Sequence, residues 1–197
     1  MRRWRSSATG EWPLPNLLPL GGSTGDATYL TFSPMTNETF SESGPHARLR
    51  ELGLELPAVV RPSLHFAPAH LWNGWVRTSG QVPVRNGALV AEGTVGADVD
   101  LAAAQECARQ CVLNGLAAIN DVAGNLHNVE SVFSVTVYVA SAPDFNAQPR
   151  VADAASELIS IVFGEAGRHS RSAVGVIALP RRAPVEIELT AALRIST

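Results

Sequence analysis

The chain has no lysine: all 15 of its basic residues are arginine. That absence excludes Schiff-base catalysis, a lysine-held pyridoxal cofactor, a P-loop and a Ser-Lys dyad. Cysteine is scarce too. Cys107 and Cys111 lie four apart in a helical pattern, with neither a second pair nor histidine at metal spacing. They read as small packed hydrophobes rather than as a redox or zinc site. Free thiols suit a reducing compartment, so a cytoplasmic location is expected. No run approaches the ~20 apolar residues that a membrane span requires, so no membrane partner is expected. Net charge is -3, with 18 acidic residues interspersed among the basic ones. This gives no broad electropositive surface, and nucleic acid is not expected as a partner. No Ser-His-Asp order, metal-ligand set or glycine-rich phosphate loop is present, so no metal site is expected. His46, His65, His70, His127 and His169 are scattered, and only His169 falls close to another candidate residue, Arg171.

What is present is enough apolar material for a core: 197 residues at 46% hydrophobic content predict one domain. Residues 1–46 carry Pro13, Pro15, Pro19 and several glycines without any sustained period, and read as a disordered extension, with the domain spanning 47–197. The segment 14–20 is too short and too broken by proline for an export signal. Residues 1–34, ahead of Met35, read as an upstream extension.

Within the domain, a short helix is expected over 46–54 and strands over 75–79 and 88–91, the latter entered by a tight Arg85-Asn86-Gly87 turn. A helix capped by Asp98 or Asp100 runs to about Ala123, with Leu101, Ala104, Ala108, Cys111, Val112, Leu116 and Ile119 on one face. A strand follows over 132–140, then a helix over 145–163 with Val151, Ala154, Ala155, Leu158, Ile159 and Val162 as its buried stripe, and strands over 172–178 and 185–193. The proline-rich turn between the last two strands reads as a hairpin. This order predicts an α+β layer: a single mixed sheet with two helices on one face. The other face is expected to carry Ala173, Gly175 and Ile177 and to be buried against neighbouring subunits.

Arg171 stands at the mouth of a strand. There a guanidinium either takes a carboxylate through two parallel hydrogen bonds or is simply solvated. The surrounding run, Arg171-Ser172-Ala173-Val174-Gly175-Val176, leads through Leu179-Pro180 to Val185-Glu186-Ile187-Glu188. Together with Thr78-Ser79-Gly80-Gln81-Val82-Pro83 and Ser141-Ala142-Pro143-Asp144-Phe145, it resembles the RidA/YjgF family of reactive-intermediate (enamine/imine) deaminases, over about residues 47–195.

The resemblance implies a YjgF-like (chorismate-mutase-like) fold assembled as a homotrimer with intersubunit sites. It implies a hydrolase acting on C=N bonds, converting 2-imino acids such as 2-iminobutanoate and 2-iminopropanoate to 2-keto acids and ammonia without a cofactor. Arg171 would hold the substrate carboxylate, Ser79 would donate to it or orient it, and the backbone N–H groups of Gly80 and Ala173 would assist. Glu186 would activate the attacking water. Read without the resemblance, Ser79 is a strand-end hydroxyl satisfied by the main chain and Glu186 a solvent-facing charge. The chain departs from the family pattern at Ala173, where cysteine is common, at Gly175, where glutamate is common, and at Phe66, about where tyrosine is often found.

A hairpin closed at residues 180–183 would hold Arg171 and Glu186 roughly 20 Å apart along the strands, too far for one small acid to bridge. A shared site would then need Glu186 from a neighbouring subunit. Two other functions fit the same residues less fully. One is a non-catalytic trimer that binds a small carboxylate, which needs Arg171 but not Glu186. The other is an endoribonuclease, which the acidic balance disfavours.

Overall fold

The computed structural model describes residues 44–61 and 65–194. The expected disordered extension therefore lies outside the described residues except at its end, where Pro45 already opens the first helix, α1 (Pro45–Glu51).

Two neighbouring hairpin signals build one edge of the main sheet and a separate two-stranded ribbon. Strands β1 (Ala69–Trp72) and β2 (Trp75–Thr78) are joined through Asn73 and Gly74, at φ 48° and 78°. This is the Asn-Gly geometry whose twist matches flanking strands. The same chemistry at Asn86 and Gly87, φ 53° and 86°, closes the small ribbon β3 (Val84–Arg85) and β4 (Ala88–Leu89). Helix α2 (Leu101–Ala123) starts at Asp100, whose carboxylate accepts from the Ala103 N–H at 2.8 Å, and ends at Gly124, φ 74°. Strand β5 (Val129–Ala140) follows. Helix α3 (Gln148–Phe163) begins three residues later than its apolar pattern suggests, because Pro149 suits the first turn of a helix. Strands β6 (Ser170–Val176) and β7 (Val185–Leu193) complete the chain.

The main sheet has the order β1-β2-β7-β5-β6. Both long helices pack on one face, and the expected stripes are buried there: Cys111, Val112, Leu116 and Ile119 from α2, and Val151, Ala155, Ile159 and Val162 from α3 are all 0% exposed. Burial pushes the Cys107 thiol up to about 11, and Cys111 also well above its ordinary value, so both stay protonated and serve as packing. No helix among the described residues is long and apolar enough to cross a membrane.

Two expectations are corrected. The last two strands do not form a hairpin, because β5 lies between them, parallel to β6 and antiparallel to β7. The five-stranded sheet needs this order for α3 to cross from β5 to a parallel β6, a connection too long for a turn but natural for a helix. Nor do Ala173 and Gly175 face away from the helices. Ala173 pairs with buried Val137, and a Cβ on Gly175 would lie 2.9 Å from the Gln148 amide nitrogen of α3. Ile177 lies just beyond β6 and is 97% exposed. The helix-free face instead carries His70, Trp72, Trp75, Arg77, Tyr138 and Glu188.

Candidate functional site

The Ser79-Gly80 peptide is stretched between two fixed points. Before it, the Thr78 hydroxyl accepts from the Leu189 N–H at 3.0 Å; after it, Gln81 exchanges both backbone hydrogen bonds with Ile187, at 2.9 and 3.0 Å. Gly80 is thereby pressed against β7. A Cβ at this position would overlap the Glu186 carboxylate oxygen and lie 2.7 Å from its Cδ. Only glycine lets the carboxylate rest there. Ser79 donates its hydroxyl to the Ala67 carbonyl at 2.6 Å, so the main chain does satisfy its hydrogen. Its oxygen lone pairs remain for a donor. Phe66, one residue before Ala67, is exposed.

Glu186 is partly buried and has no hydrogen-bond partner among the described residues. Burial raises its pKa, and the nearby charge of Glu188 raises it further. Glu188 itself takes a hydrogen bond from Arg77 at 3.0 Å and one from the Tyr138 hydroxyl at 3.3 Å. Burial also raises the Tyr138 pKa, helped by Glu188, which keeps the phenol a donor. Arg77 and Glu188, with Ser79, border an open concavity of about 990 Å³ on the helix-free face, also lined by Trp75 and Phe133, whose rings meet edge to face at 5.1 Å.

Arg171 is elsewhere. It pairs with Val135 in β5, and Val135 pairs with Leu189, so its side chain leaves the sheet on the helix side. There Nη1 donates to Asp153 Oδ1 at 2.9 Å and to Ser156 Oγ at 3.1 Å, both on α3. Nε and Nη2 have no partner among the described residues, leaving one edge of the guanidinium open. Glu186 is in register with Tyr138, three residues along β5 from Val135. Three residues along and two strands across give about 14 Å between the two Cα positions. The two side chains also project from opposite faces. One chain therefore brings Ser79, Gly80 and Glu186 together but leaves Arg171 and Ala173 apart from them. The separation is shorter than the hairpin reading required, and the inserted β5 is the reason.

Asp153 and Ser156 are the residues that sequence reasoning missed. Their signal was available in retrospect: three apart on α3, they share a helix face, as His169 and Arg171, two apart, share a strand face. Nothing local showed that those faces meet.

Comparison with known proteins places this geometry in context. Residues 46–192 match the family model described as "YjgF/chorismate_mutase-like, putative endoribonuclease". Protein TCP17 of Trypanosoma cruzi is 37% identical over 143 residues, covering 72% of this chain and 89% of that protein. Among solved structures, protein Atu1372 of Agrobacterium tumefaciens, of unknown function, is 38% identical with a TM-score of 0.72, covering 76% of this chain and 92% of that one. A protein of Shewanella oneidensis described as a "putative endoribonuclease" is 30% identical with a TM-score of 0.74, covering 76% and 99%. The chain belongs to the YjgF/chorismate-mutase-like family, the YjgF/RidA family that its strand motifs resemble.

Proposed function

We propose that the protein hydrolyses reactive 2-imino acids, and their enamine tautomers, to 2-keto acids and ammonia at a cleft between subunits of a homotrimer. The observation that carries this reading is the Glu186 carboxylate seated on Gly80 beside Ser79, partly buried, with no hydrogen-bond donor among the described residues and with a raised pKa. A carboxylate so placed is a general base tuned toward neutral pH.

The substrate carboxylate takes the open Nε/Nη2 edge of Arg171 through two parallel hydrogen bonds. Glu186 removes a proton from water as the oxygen bonds to the imine carbon and returns it to the nitrogen, giving a neutral carbinolamine; it then takes the carbinolamine hydroxyl proton and delivers it to the nitrogen as the C–N bond breaks, releasing ammonia. The C=N bond is replaced by C=O, and one water is consumed. Ser79, its hydrogen committed to Ala67, accepts from the imine N–H, while the Gly80 and Ala173 N–H groups and the apolar Phe66 ring border the substrate. This changes the expected role of Ser79 from donor to acceptor. Such hydrolysis is facile in water, so positioning supplies most of what the site must add.

Assembly follows from the separation of the two halves. Among the described residues strand β6 is an edge of the sheet with unpaired backbone groups, and Trp72 and Trp75 stand 70% and 60% exposed on the helix-free face. Both features call for a covering neighbour. In a trimer, Arg171 of one subunit can meet Glu186 of the next.

The test is ammonia release from 2-iminobutyrate or 2-aminoacrylate generated in situ. Absence of release above the spontaneous rate would reject the deaminase and leave a carboxylate-binding protein. Arg171→Ala and Glu186→Ala should each be inactive, and subunit exchange between them should restore part of the activity. Hybrids that form but stay inactive would reject the intersubunit cleft. RNA incubated with the protein should remain intact.

A further inference from the structure

The side of Arg171 that faces α3 is more elaborate than a carboxylate anchor needs. Ser156 Oγ lies 2.9 Å from His169 Nε2, and His169 Nδ1 lies 2.6 Å from the Gly167 carbonyl oxygen. The direction of each bond can be worked out from the far end. A carbonyl only accepts, so Nδ1 carries the hydrogen and Nε2 of the neutral ring holds the lone pair. The Ser156 hydroxyl then donates to Nε2. Its oxygen is left as the acceptor for Arg171 Nη1. For a neutral ring the order is Arg171 to Ser156 to His169 to Gly167.

Gly167 fixes the end of this chain of bonds. A Cβ there would lie 2.6 Å from the Ile159 carbonyl oxygen and 3.1 Å from its carbon, backbone atoms of α3 that cannot yield. Glycine therefore lets the segment before β6 lie against the helix and presents its carbonyl to the ring. His169 and Arg171, two residues apart, both turn toward α3.

Asp153 also holds Nη1, yet its side chain is 63% exposed and that of Arg171 26%. Exposed ion pairs contribute little and weaken with salt. The Ser156–His169 link is partly buried and, resting on a neutral hydroxyl, is not screened in the same way. At working ionic strength it is the more dependable restraint on the guanidinium.

We infer that Ser156 and His169 are positioning residues: they lock Arg171 through Nη1 so that its Nε/Nη2 edge is set in advance for one carboxylate. This rests on the proposed role of Arg171 for its catalytic consequence, though not for the restraint itself. Neither residue touches substrate. Because a carboxylate binds the same edge before and during reaction, loosening that edge weakens binding uniformly and acts on KM rather than kcat.

Two measurements separate the inference from the function it serves. In the full-length protein, ¹⁵N NMR should show His169 as the Nδ1–H tautomer and a rigid Arg171 Nε–H vector. Ser156→Ala and His169→Phe should lower the order parameter of that vector, and Ser156→Thr, which keeps the hydroxyl, should restore it. In turnover on 2-iminobutyrate, Ser156→Ala should raise KM by about tenfold, the scale of one hydrogen bond to a charged group, with kcat little changed. An Nε2–H tautomer, or an unchanged Arg171 order parameter in both Ser156→Ala and His169→Phe, would overturn the inference even if the enzyme is active. A wild type that releases no ammonia but shows the expected changes in order would keep the positioning and reject the deaminase.

Discussion

Replacing Gly80 by alanine tests the catalytic carboxylate without touching it. Gly80 does not have positive φ, so alanine adopts its backbone conformation without strain. What the new methyl meets is the end of a flexible side chain: it overlaps the Glu186 carboxylate and lies 2.7 Å from Cδ. Carbon atoms in contact sit about 3.5–4.0 Å apart, so the carboxylate must withdraw by roughly 1 Å. The fold should tolerate this, since the side chain can swing toward solvent and alanine reduces the entropy of the unfolded chain, worth about 0.4–1 kcal/mol. Catalysis should not. A misplacement of about 1 Å can cost on the order of 10²-fold, within the range of about 10²–10⁴ that a positioned base supplies.

The pH profile should move as well. The base works ionised, so activity falls on the acidic side of its pKa, which burial raises in the native site. A carboxylate displaced into water loses that desolvation, and the acidic limb should shift to lower pH. The assay is therefore kcat/KM against pH for wild type and Gly80→Ala, with thermal melting as the control on folding. Full activity with an unshifted acidic limb would refute the role of Glu186, and a collapse of thermal stability would refute the claim that the carboxylate can move aside cheaply.

Arg171→Ala should lower kcat/KM by at least roughly a hundredfold, since charge-assisted hydrogen bonds contribute about 1.5–3 kcal/mol each, and Arg171→Lys should do nearly as badly for want of the forked edge. Steady-state kinetics decides both. Glu186→Gln should remove activity yet melt no earlier than wild type at neutral pH. The folded pKa of Glu186 is raised, so its favourable contribution exists below the unfolded carboxylate pKa and disappears as pH rises through the folded value; denaturant midpoints should converge in acid and separate above it. The turn Pro180–Ala183 is closed by the Ala183 N–H on the Pro180 carbonyl at 3.0 Å, with Arg181 and Arg182 at φ 59° and 61°. Non-glycine residues cost about 1–2 kcal/mol each there, so Arg181→Asn with Arg182→Gly should stabilise by about 1 kcal/mol or more and raise the melting temperature by at least about 2 °C.

Much of this protein is written locally. The period-3.6 stripes of α2 and α3, the Asp100 cap, the stop at Gly124 and the alternation of β7 each follow from residues within one element, because a helix or strand exposes its buried face through its own spacing. The motifs around Ser79, Arg171 and Glu186 were legible for the same reason. The Trp72-Asn73-Gly74-Trp75 hairpin was equally local and was overlooked, its apolar runs being too short to show a period. Only the tertiary structure decided that β5 separates β6 from β7. A proline-rich turn is compatible with a hairpin and with a longer return, and what selects between them is the crossover through α3 that makes β6 parallel to β5. That choice turns Arg171 toward Asp153, Ser156 and His169 while Glu186 looks out from the opposite face. Side-chain direction is set by register across strands that are distant in sequence. No spacing within β6 or β7 alone carries that information.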